Sequence, residues 1–183
     1  MRPLFTATER FDPSDGNKWL EYAEFAEIPD LTELVSLDGL LCPSLIGPFD
    51  NEDWAHADAE FLHRGISTIN WFKDLDYLLA KIGDRERRNV LGVYQNADSH
   101  VNEAPARGFV FLGYDLIGEE SGISALTNCG GFPESFSNGE LNQYGLLADF
   151  GRASEVRRTL RERNPEEHHA QCDLFAIWRL VEI

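Results

Sequence analysis

Residues 107–134, RGFVFLGYDLIGEESGISALTNCGGFPE, constrain this fold more than any other stretch of the chain. Two apolar runs, 109–117 and 123–127, flank the loop Gly118-Glu119-Glu120-Ser121-Gly122. β-Branched and aromatic runs around a short loop of Gly, Ser and acid predict a β-hairpin. The second run stops at Asn128-Cys129-Gly130-Gly131, so the hairpin is expected to deliver the chain to a Gly-rich turn carrying a thiol.

The other elements arrange themselves around that hairpin. NVLGVYQN at 89–96 and the run beginning CDLFAIWRLV at 172 read as further strands. A second strand–turn–strand is expected at 34–42, where Asp38-Gly39 divides two apolar runs. Asp12-Pro13 suits a helix start, and Trp19, Tyr22, Ala23 and Ala26 then share one helical face until Pro29. Helical spacing recurs over 52–64 and, most strongly, from Trp71 to Ile82, with Gly83 as the stop. A short helix is expected within 141–150, another over 155–163 capped by Ser154, and a last helical start at Asn164-Pro165. The sequence therefore predicts one α+β domain over 1–183. Its mainly antiparallel sheet has strands near 89–96, 109–117, 123–128 and 173–181, with helices packed on one face.

Charge sets the boundary on partners. The chain has 32 Asp and Glu against 16 Lys and Arg, for a net charge of −16. Residues 1–60 alone hold 14 acids against 3 bases, a net of −11. Such a field opposes direct binding to nucleic acid or an anionic membrane and favours a basic protein partner. Three cysteines (Cys42, Cys129, Cys172) without a CxxC exclude a disulfide scaffold and a zinc ribbon, and suit reduced thiols. With neither a signal-peptide pattern nor a long apolar run, the expected location is the cytoplasm.

Four groups of residues carry candidate chemistry. Cys129 sits where a nucleophilic thiol would need to be, with backbone N–H groups of glycines nearby and a histidine required from His100, His168 or His169; the pair Cys129 and His168 is the catalytic candidate. Glu52, His56, Glu60 and His63 form a helical stripe able to hold a divalent metal, and no other cofactor is expected. A second metal arrangement places His168 and Cys172 four residues apart beside Glu166, Glu167 and His169. Finally, Trp19 among Glu21 and Glu24, and Trp54 beside Asp53, would give aromatic anchors ringed by carboxylates for a basic partner. In size and acidity the chain is similar to bacterial immunity proteins, inhibitors that cover a basic surface of a toxin, a likeness of composition alone. The leading expectation is such an acidic protein-binding domain. The alternatives are a cysteine-dependent hydrolase or transferase using Cys129 and a metal-binding domain using the His56 and His63 stripe.

Overall fold

The carboxy-terminal run CDLFAIWRL is apolar at almost every position, which demands cover on both faces of a strand. In the computed structural model, which describes residues 1–47, 49–58, 69–83 and 86–181, that run lies inside a four-stranded sheet. The elements in chain order are β1 (Leu4–Glu9), α1 (Asn17–Ala26), the single turn α2 (Asp53–His56), α3 (Leu75–Ile82), β2 (Arg88–Gln95), β3 (Phe109–Gly118), α4 (Phe150–Arg163) and β4 (Cys172–Leu180). The strands are ordered β1-β2-β4-β3, and every neighbouring pair is antiparallel. The chain is a single sheet with helices, an α+β architecture as the sequence predicts.

Register assigns each side chain to a face. Phe5, Tyr94, Ala176 and Tyr114 point to one side, where Leu78 of α3 and Val156 and Leu160 of α4 join the same core cluster. Leu91, Val93, Ile177 and Leu112 point to the other, which is covered by irregular chain through Val35, Leu37, Trp71 and Leu146. There the Trp71 ring stacks on Phe175 at 5.9 Å. Helix α1 buries Trp19 and Tyr22 against Phe11, with ring centroids 5.4 Å apart in both pairs.

Several local expectations are corrected. Residues 123–128 are not a strand: after one bridge, Ile117 to Ser124, the chain turns, with Asn128 N–H donating to the Ser124 carbonyl. The polar side chains of Ser124 and Asn128 are drawn inward to buried carboxylates, which defeats the ladder. The fourth strand is instead β1, whose Thr6 and Thr8 are buried among apolar neighbours. No hairpin forms at 34–42, because the Asp38 carbonyl accepts from both Leu41 and Cys42 and closes a tight turn. Helix α3 starts only at Leu75, capped by Asp74, while Phe72 is extended and bridged to Phe5. Residues 141–147 form a tight turn rather than a helix, with Leu141 bridged to Leu147. Asp149, not Ser154, caps α4, and the stretch from Asn164 forms turns only.

Candidate functional site

β3 and β4 end side by side, Gly118 opposite Cys172, so the loop leaving β3 and the turn entering β4 share one end of the sheet. The first carries Cys129 and the second His168 and His169. A side chain at Gly118 would crowd this meeting, since its Cβ would run into the Ser121 hydroxyl and stand 3.3 Å from the His169 Nδ1. Gly130 and Gly131 follow the thiol at φ of +69° and +93°, a left-handed pair that L side chains resist.

The loop before Cys129 is pinned by buried acceptors. The Asp38 carboxylate accepts from Ser124 N–H at 3.0 Å and from the Asn128 side-chain amide at 2.6 Å. The Ser124 hydroxyl donates to Asp115 at 2.7 Å, and Asp115 also accepts from the Ser36 hydroxyl at 2.8 Å and the Leu116 N–H at 2.8 Å. From the other side, the Tyr22 hydroxyl donates to the Thr127 carbonyl at 3.0 Å. On the opposing turn, Ala170 N–H donates to the Glu167 carbonyl at 2.9 Å, and Glu119 N–H to the Gln171 carbonyl at 3.0 Å.

These constraints bring three donor atoms together. The Cys129 Sγ lies 2.6 Å from His169 Nε2 and 3.7 Å from His168 Nε2. All three fall within 4.8 Å of one another, and among the described residues this is the group of His, Cys, Asp or Glu placed to share an ion. His169 is fully buried and packed edge-on to Phe132 at 5.5 Å, Cys129 is half-buried and His168 exposed, so the cluster opens to solvent on the His168 side. Burial, reinforced by Asp38 and Glu167, pushes the Cys129 thiol up to about 11. Burial and the neighbouring His168 bring His169 down to about 4, against an opposing pull from Asp38. The resting pair is therefore a neutral thiol beside a neutral imidazole rather than a thiolate beside an imidazolium.

The other sequence candidates fall elsewhere. Cys129 and His168 do meet, but His169 is the closer partner, whereas His100 contacts the Tyr114 hydroxyl at 2.5 Å. Cys42 is fully buried, its thiol raised by burial to about 12. Cys172 is also fully buried, on β4 itself. Of the helical stripe, Glu52 precedes α2 and His56 closes it, stacked on Tyr77 at 3.8 Å; Glu60 and His63 lie outside the described residues. Trp19 is a core residue at 5% exposure, so it anchors α1 to its own domain, while Glu21 and Glu24 are accessible. Asp53 is completely buried and accepts from the Tyr77 hydroxyl and the Lys81 ammonium, each at 2.8 Å; its neighbour Trp54 is exposed. Asp38 and Asp115 went unread as site residues. Their signal was an acid inside an apolar run, in VSLDGLLC and in FLGYDLIG.

Compared with known proteins, the chain matches no family model, no curated protein and no solved structure.

Proposed function

We propose that the protein is a metalloprotein of zinc type, with Cys129, His168 and His169 as its three ligands and a fourth position open to water. The observation that carries this reading is the convergence of one thiol and two imidazole nitrogens within 4.8 Å from two separate loops. Thiolate and neutral imidazole are zinc's preferred ligands. The 3.7 Å between Cys129 Sγ and His168 Nε2 matches the ~3.6 Å edge of a tetrahedron built from zinc–sulfur and zinc–nitrogen bonds. The 2.6 Å to His169 is shorter than that edge, so sulfur and imidazole would move about 1 Å apart around an ion. The ligand proton states agree: His169 is already neutral, and the metal would displace the thiol proton. Asp38 adds negative charge that acts on both Cys129 and His169. Three protein ligands with an open position is the catalytic rather than the structural pattern, suited to lowering the pKa of bound water for hydrolysis.

The test is zinc stoichiometry by native mass spectrometry, paired with alkylation of Cys129. One zinc per chain, lost in Cys129→Ser, with metal protecting the thiol, is the expected result. A metal-free thiol that alkylates rapidly at neutral pH would replace this reading with a cysteine nucleophile.

A second reading, the acidic domain that covers a basic protein partner, is favoured by one surface. Phe25 and Leu40 are 52% and 75% exposed and line a groove of about 450 Å³ in which Glu9, Asp15 and Glu21 outnumber Arg10 and Lys18. Apolar anchors beside carboxylates suit a basic partner, and its binding would weaken steeply as salt rises.

A further inference from the structure

Helix α4 carries a face that runs against the charge of the whole chain. Ser154, Arg157, Arg158 and Arg161 recur at spacings of 3, 1 and 3, a single helical stripe. Together with Glu162, Ala97 and Leu174 they line a pocket of about 440 Å³. The arginine face is cationic in a chain of net charge −16.

The arginines are held chiefly by neutral groups. Arg157 donates through Nε to the Cys172 carbonyl at 2.7 Å, and Arg161 through Nη2 to the Gln171 side-chain oxygen at 3.0 Å. Those contacts fix two guanidinium planes through neutral acceptors. Two acids form long ion pairs here: Glu162, which also lines the pocket, lies 3.7 Å from Arg158, and Asp173 lies 3.8 Å from Arg157 while accepting from the Gln95 and Asn96 amides, so three guanidinium groups face one pocket carboxylate. Compensation of the helix dipole accounts for Arg161 and Arg163 in the last turn, but not for Arg157 and Arg158 a turn earlier.

We propose that this pocket binds a small phosphate monoester, its dianion held by Arg157, Arg158 and Arg161 with the Ser154 hydroxyl as a further donor. Guanidinium forks match phosphate oxygens in geometry and supply charge-assisted hydrogen bonds. The volume exceeds what the phosphate group needs and leaves room beside Ala97 for the organic part of the ester. The site is separate from the metal ligands and does not depend on them.

The experiment is an NMR titration of chelator-treated, metal-free protein with phenyl phosphate, inorganic phosphate and acetate, following α4 amides and arginine Nε–H signals. Saturable shifts confined to the α4 face, with phenyl phosphate at least tenfold tighter than inorganic phosphate and acetate weakest, are expected. Equal affinity for the two phosphates would reassign the pocket to the free ion and overturn the ester. Arg158 is exposed, so Arg158→Ala should fold normally and lose affinity about tenfold, while Cys129→Ser should bind like the parent. Shifts scattered over the surface, or an Arg158→Ala variant that binds unchanged, would overturn the site.

Discussion

Glu33 and the pair Asp38 and Asp115 are carboxylates taken out of water within one domain, yet they are neutralised differently. Glu33 accepts from Arg10 through two nitrogens at 3.1 and 3.0 Å, from Arg179 at 2.6 Å and from the Asn89 amide at 2.8 Å. Burial alone would push its pKa up, but Asn89 and the two guanidinium groups hold it below the ordinary glutamate value. Asp38 and Asp115 accept from hydroxyls and N–H groups, and among the described residues neither is paired with a lysine or arginine. Burial raises Asp115 above the ordinary aspartate value. The first region closes its charge within the protein. The second leaves the charge of Asp38 acting on Cys129 and His169, where a metal cation would complete it.

The largest expected effect breaks the closed region. Glu33→Gln leaves Arg10 and Arg179 without their anion and should lower stability by about 3 kcal/mol in urea denaturation. A loss below about 0.5 kcal/mol would mean that the network is peripheral. The same variant gives the pH test. Because the folded-state pKa of Glu33 is depressed, its contribution is fully present above the unfolded value of about 4.3 and disappears as pH falls through the lower folded value. The stability gap between wild type and Glu33→Gln should therefore shrink on acidification below about pH 4.3. A gap independent of pH would remove the ionic explanation.

The open region is sharpened by metal. Zinc at 100 times its Kd should stabilise the wild type by about 2.7 kcal/mol and raise its Tm, with no increase in Cys129→Ser. An equal rise in both proteins would place the ion elsewhere. Smaller still is the effect of the Asp38 charge on the ligands. Asp38→Asn should weaken zinc about tenfold in a protein that remains folded, as loss of a supporting outer group does. Unchanged affinity would show that Asp38 only shapes the loop.

The sheet was largely legible because β2, β3 and β4 are long apolar runs whose length and β-branched content leave few alternatives. β1 was hidden: its six residues alternate with threonines and carry no turn signal beyond Pro3. Residues 123–128 misled for the opposite reason, since apolar composition does not reveal that Ser124 and Asn128 answer to Asp38 and Asp115. Those contacts span 86 and 9 residues for Ser124 and 90 for Asn128, beyond any local pattern. The thiol was legible from its Gly-rich turn, and the two histidines as residues of interest. Their meeting depends on the pairing of Gly118 with Cys172, a property of the register that spacing along the chain does not encode. Trp19 shows the same limit, because helical periodicity marks a face without saying whether it meets solvent or core.

The most direct test of the open region is cobalt(II) substitution of the metal-free protein, read in the visible and near-ultraviolet. Binding of one equivalent should give tetrahedral d–d bands and a thiolate-to-cobalt charge-transfer band, with the latter absent in Cys129→Ser and both weakened in His169→Ala. A spectrum of octahedral aqueous cobalt in the wild type, with no charge-transfer band, would contradict the Cys129–His168–His169 centre.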